Sequence, residues 1–419
     1  MPSGCAERGS ARRCAPGRPG VTVRPSGATV RAVRIVVTGL IATYPVGGVA
    51  WDYLQYVRGL AGLGHEVTYL EDTGQWVYSP RRETFTDACE ENISYLGRVL
   101  AGLGGNVPWA FRDPRGTVHG PAAGALGRRC READLFLNVS GSGWLRDEYR
   151  GRGVHAYVDT DPCYSQAKLA AAAGGAEPGL RYSAAMIRSH DVFFSYAANL
   201  GAPECLIPTL GIAWRTTRPP LVLEDWPVSP PPPVGAFTTV MSWKIDVTPP
   251  TLDGRVYGGK DVEFAKIMEL PARTPERLEV ALAGAAPRER LVAAGWRVRD
   301  AREVSATPAG YRTYLASSCG EVSVAKEAYV ATCSGWFSSR STAYLALGRP
   351  VIVQDTGLAP HYPLGDAILP FADMESAAAA LAAVREDYPR RCAAARAVAV
   401  EAFAAERVLG RLLADAGCA

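Results

Sequence analysis

The chain has 419 residues, of which 48% are apolar and 21% charged, so it is long enough for two cores and has the composition of a soluble globular protein. The formal charge of +3 misleads: residues 1–31 hold six arginines and one acid, Glu7, and leave 39 basic against 41 acidic residues in the rest. That balance argues against a surface built for nucleic acid or anionic membrane, and no apolar run approaches the ~18 residues of a membrane-spanning helix.

Residues 1–32 are rich in Arg, Gly and Pro and have few large apolar side chains, which predicts a disordered, dispensable leader. Arg12-Arg13 is followed by no apolar stretch, so a twin-arginine export signal is not expected. The ten cysteines form no C-x-x-C pair and no metal-ligand spacing with the five histidines. They read as reduced thiols of a cytoplasmic protein without a metal site. The abundance of alanine and arginine fits a GC-rich bacterial genome.

From Val33 onward, short apolar runs alternate with longer amphipathic ones, the pattern of parallel sheets flanked by helices. Strands are predicted over 33–40, 65–72, 133–140, 154–161, 190–197 and 205–211, with a helix over 47–64 that ends on Gly64. Residues 212–233 end in a run of prolines and read as a stiff linker. Strands resume over 235–243, 277–284, 296–301, 320–326 and 349–355, and 374–417 reads as two or three Ala-rich helices. The fold class expected is α/β, with two Rossmann-like doubly wound domains facing each other across a cleft. Ligands should then meet residues that directly follow strands.

Four stretches stand at such places. "TGLIATYPVGGVAWD" (38–52) brings Gly47-Gly48 to a helix mouth, where bare N–H groups can meet a phosphate or serve only a tight turn. "YVDTDPCYSQ" (157–166) puts Asp159 and Asp161 two apart at a strand end, as a general base and its neighbour or as a cap and turn pair. His65, His155 and His190 lie in or at the start of strands and read as structural. "FTTVMSWK" (237–244) delivers Ser242, Trp243 and Lys244 to a strand tip, where the lysine suits a phosphate and the indole a base or sugar face. "YGGKDVEF" (257–264) offers Lys260 in the same way.

The fourth, "CSGWFSSRSTAYLALGRPVIVQDTG" (333–357), starts a short helix at Ser338 or Ser339 and ends it at Gly348. Its mouth carries Ser338, Ser339, Arg340, Ser341 and Thr342, hydroxyls and a planar cation suited to a diphosphate. Lys326 precedes it, and Asp355 and Thr356 follow the next strand, where a carboxylate can accept bonds from sugar hydroxyls.

This last stretch, with "GGVAWDYLQYVRGLAGLGHEVTYLED" (47–72) and the tail "AFAAERVLGRLL" (402–413), resembles nucleotide-sugar glycosyltransferases of the GT-B fold. The resemblance implies an acceptor domain at 33–211, a donor domain at 234–400, and a closing helix in 401–419 that crosses back to the first domain. It implies a metal-independent transfer, with no cofactor, of a sugar from a nucleoside-diphosphate donor to an acceptor. Lys326, Ser338, Ser339, Arg340 and Ser341 would meet the diphosphate, and Asp355 and Thr356 the donor sugar; the helix dipole and basic side chains would stabilise the leaving group. Many members bind ribose through a glutamate in the donor helix; here that place is Ala343–Tyr344, which leaves Glu321 or Glu327 for the role. Asp159 or Asp161 is the expected base of an inverting reaction, whereas a retaining one needs none. A nucleotide-sugar epimerase on the same fold and a non-enzymatic two-lobed binder are the competing readings.

Overall fold

The computed structural model describes residues 31–102, 106–175, 177–232, 235–244 and 248–418, so all but the last two residues of the expected leader lie outside it. Arg34–Thr38 (β1) is buried at every residue after the exposed Arg34, its Ile and Val run being what a parallel strand covered by helices requires. It pairs in parallel with Glu66–Glu71 (β2), which pairs in parallel with Trp109–Arg112 (β3), and β3 in turn pairs antiparallel with the edge strand Val118–His119 (β4). On the other side of β1 come Leu135–Val139 (β5), Val154–Asp159 (β6), Val192–Ser195 (β7) and Trp214–Thr216 (β8), all parallel. The sheet order is therefore β8-β7-β6-β5-β1-β2-β3-β4.

The second sheet is wholly parallel. Its strands are Phe237–Ser242 (β9), Leu278–Ala283 (β10), Arg297–Asp300 (β11), Gly320–Ser323 (β12), Val351–Gln354 (β13) and Ile368–Phe371 (β14), in the order β11-β10-β9-β12-β13-β14. Strand order reverses between β9 and β12, as it does between β1 and β5 in the first sheet. A crevice opens at the carboxyl ends of such strand pairs.

Helix Gly47–Gly62 (α1) buries Trp51, Leu54 and Val57 and is stopped by Gly64 at φ +90°. The C-terminal half adds Lys260–Phe264 (α2), Pro308–Ala316 (α3), Glu327–Ala331 (α4), Ser339–Ala346 (α5) and, at the chain's end, Ala405–Asp415 (α6). Helix α6 returns to lie on α1, and Gly59 permits it: a Cβ there would stand 2.5 Å from Leu409 Cδ1. One apolar core consequently runs through both halves and includes Tyr56, Trp226, Leu345 and Leu409.

Three expectations change. The stretch expected as a strand over 205–211 is irregular, with Leu206 58% exposed while its neighbour Ile207 is buried in a small apolar cluster with Tyr329. The segment read as a linker contains edge strand β8, and its Trp226 is buried against Trp51 at 4.7 Å between ring centres. Strands β3 and β14 extend the two sheets beyond what the sequence pattern marked.

Candidate functional site

The carboxyl ends of β9 and β12 are where the C-terminal half gathers its cations. Lys326 follows β12 and starts α4, Lys260 starts α2, and Arg340 lies in the first turn of α5. Ser338 caps α5, its Oγ accepting from the Arg340 N–H at 3.2 Å. Two carboxylates of the N-terminal half reach this group. Asp161, just past β6, accepts from Lys326 Nζ at 2.5 Å and from Tyr329 Oη. Asp52, on α1, accepts from Ser339 Oγ at 2.6 Å. Nearby, the Trp336 Nε1–H donates to the Thr160 carbonyl at 3.0 Å, and the Lys326 ammonium stands over the Tyr164 ring at 4.4 Å from its centre.

Of these groups Asp52 and Asp161 are exposed, and Lys260, Lys326, Ser339 and Arg340 are half-buried. Asp52 is exposed, yet the surrounding protein strips it of bulk water and, with Asp161 adding repulsion, lifts its carboxyl to about 6 against the pull of Ser339 and Arg340. The protein around the exposed Asp161 carboxyl also tends to raise it, but Lys326 and Tyr329 outweigh that and hold it below its ordinary value. Lys260 is pushed down to about 7, first by burial and then by Arg340 and Lys326. Three basic side chains thus stand close together, and their mutual repulsion is only partly offset by Asp161 and Glu321, a setting that favours a polyanion.

No protein-family model matches the sequence, and no curated protein matches it. Solved structures do match. HepE from Anabaena, in complex with UDP-glucose, is 12% identical with a TM-score of 0.55, over 92% of this chain and 100% of that one. An alpha-glucosyltransferase (AGT), in complex with UDP-glucose and DNA containing an abasic site, is 11% identical with a TM-score of 0.52, over 92% and 100%. Both are UDP-sugar glycosyltransferases of the GT-B type. The chain has the GT-B fold.

In the GT-B frame, the residues singled out by the sequence divide. Lys326 and Asp161 come together as an ion pair, Ser339 bonds to Asp52, and Arg340 stands near enough to Lys260 for their charges to repel. Ser242 and Lys244 stand exposed at the tip of β9, Lys244 with Asp261 at 3.8 Å. Asp355 is exposed after β13, its Oδ1 accepting from the Gly357 and Leu358 N–H groups.

Others are turned away. Trp243 is 6% exposed and packs on Phe264 in the second sheet's own core, so it has no face to offer a base. Asp159 is 2% exposed and already accepts from Ser165, Gln166 and Ser195, which fixes the loop after β6 and leaves no oxygen for an acceptor. Ser341 and Thr356 are buried, the latter donating to the Trp336 carbonyl. The Gly47-Gly48 mouth meets protein: the Gly48 N–H donates to Ser305 Oγ at 3.2 Å, and a Cβ on Gly47 would lie 2.3 Å from the Thr307 carbonyl oxygen. These glycines serve close packing of the two halves. Arg340 itself is mostly turned inward, its Nε donating to the fully buried Glu321 at 2.6 Å and its Nη1 to the Val240 carbonyl at 2.9 Å. Glu321 is thereby taken out of reach of a ribose, and Glu327 is used by the Gly258 N–H and Arg255.

Sequence reasoning passed over Asp52 and gave Lys260 little weight. A signal for the lysine existed: the chain has only five, at 168, 244, 260, 266 and 326, among 45 basic residues. In so arginine-rich a sequence, a lysine that opens a helix after two glycines stands out. Asp52 offered no such mark, being one polar residue on an amphipathic helix.

Proposed function

We propose that the protein transfers a sugar from a nucleoside-diphosphate donor to an acceptor held by its N-terminal half, without a metal. The observation that carries the reading is the gathering of Lys260, Lys326 and Arg340 beside the capped start of α5, at the strand ends where a GT-B fold opens. Lys260, Lys326 and Ser339 hold the diphosphate, with Ser242 and Lys244 at the rim, and Arg340 adds its charge from behind while braced by Glu321. The positive charge is already in place when negative charge builds on the leaving phosphate, so no reorganisation is needed at that moment. Asp355 accepts from donor-sugar hydroxyls. Asp52, beside the donor helix and with its carboxyl lifted to about 6, takes the acceptor proton. The matched solved structures hold UDP-glucose, which makes it the first donor to try. The near-neutral charge of residues beyond the leader favours a small-molecule acceptor over DNA.

The test is thermal stabilisation by UDP, GDP, ADP and TDP, followed by release of the nucleoside diphosphate from the matching sugar donor. A ligand at 100 times its dissociation constant should add about 2.7 kcal/mol of stability. Lys326→Ala should erase that gain. Absence of stabilisation by all four would refute the donor reading.

A further inference from the structure

We propose that Asp161 is an internal stand-in for the donor's diphosphate: its carboxylate, reaching from the N-terminal half, holds the cations of the C-terminal half when no ligand is bound, and the ligand binds by displacing it. The inference rests on the donor reading above and adds a regulatory contact to it.

The geometry gives the two partners unequal standing. The Lys326 side chain is 14% exposed, flanked by the rings of Tyr164 and Tyr329, whereas the Asp161 side chain is 54% exposed. The ammonium is therefore built in, and the carboxylate is the outer partner that water can readily take back. Tyr329 Oη donates to the same oxygen of Asp161 as Lys326 does. One carboxylate oxygen thus fills a two-donor seat of the kind that receives a phosphate oxygen. Lys260 also feels Asp161, which opposes the push from Arg340 and Lys326.

The single negative charge of Asp161 bonds to Lys326 and also feels Lys260, whereas Arg340 is already paired with Glu321. A pyrophosphate, with more charge and more oxygens, outcompetes it. An uncharged sugar or a weak anion does not, so the carboxylate also screens the site against poor ligands. Once displaced, Asp161 has little to keep it inward, because Asp159 and Asp52 lie on its own side and repel it.

The experiment titrates inorganic pyrophosphate calorimetrically into wild-type protein and into Asp161→Asn, Asp161→Ala and Lys326→Ala, each checked by thermal melting. Asp161→Asn should bind pyrophosphate at least about tenfold more tightly, a gain of about 1.4 kcal/mol. Asp161→Ala, which serves also if Asp161→Asn does not fold, should bind more tightly by a similar factor. Lys326→Ala should bind more weakly. If wild-type protein binds pyrophosphate and neither Asp161→Asn nor Asp161→Ala binds it more tightly, the stand-in role is overturned while the donor site survives. If neither wild-type protein nor any variant binds it, both readings fall together.

Discussion

Replacing Arg340 by alanine should damage the fold rather than only a binding site. Glu321 is fully buried, its Oε1 receives the Arg340 Nε–H at 2.6 Å, and its Oε2 has no hydrogen-bond partner among the described residues. Arg340→Ala leaves that carboxylate without a counter-charge in a place water does not reach. Stranding one member of a buried ion pair costs about 3–5 kcal/mol. The Val240 carbonyl loses its guanidinium donor as well, for about 1 kcal/mol more. Urea titration followed by the fluorescence of the nine tryptophans measures the loss. Removing both charges, as Arg340→Met with Glu321→Leu, should recover most of it, since an apolar pair of similar volume is often neutral or better. A loss below about 1 kcal/mol for Arg340→Ala, or a double variant no more stable than the single, would refute the account of this pair as desolvated.

Asp52→Asn should lower kcat by about 10²–10⁴-fold and remove the acid limb of the pH–rate profile, which in wild-type protein falls as pH drops through about 6 and the carboxyl takes up its proton. An unchanged profile would take the base role from Asp52. Glu71 is buried beneath the loop after β1, accepting from Ala42, Thr43 and Tyr69, and burial lifts its carboxyl from 4.5 to about 7 despite those donors. Its folded value lies above the unfolded one, so the stability it confers is full below about 4.5 and is lost as pH rises through about 7. Measured by urea titration, wild-type protein should lose about 3 kcal/mol relative to Glu71→Gln across that window. Gly47→Ala should cost about 1–3 kcal/mol by thermal melting, because the added methyl meets the Thr307 carbonyl; a neutral result would show that the contact gives way freely.

Much of the architecture was readable because a doubly wound sheet writes itself as alternation. The Ile-Val runs of β1 and β13 and the amphipathic α1 have periods that no other arrangement of these residues would bury. Strands β3 and β8 escaped because each has three or four residues and lies at or near a sheet edge, where pairing rather than pattern decides. The site was half legible. Lys326 and Ser339 follow from the rule that ligands meet strand ends and helix starts. That Arg340 would turn back to Glu321, and that Asp159 would be consumed by Ser165, Gln166 and Ser195, depends on side-chain directions that spacing does not encode. Asp52 became significant only when α1 was set against α5.

The crowded approach of α1 to the Thr307–Pro308 backbone, with the Trp51 indole bonded to the Pro308 carbonyl at 2.8 Å, has a mechanical meaning. It clamps the first turn of that helix to the start of α3 by backbone contact and an indole hydrogen bond. Asp52, one residue past Trp51, is therefore held in place by the packing of its own helix and does not depend on its bond to Ser339 alone.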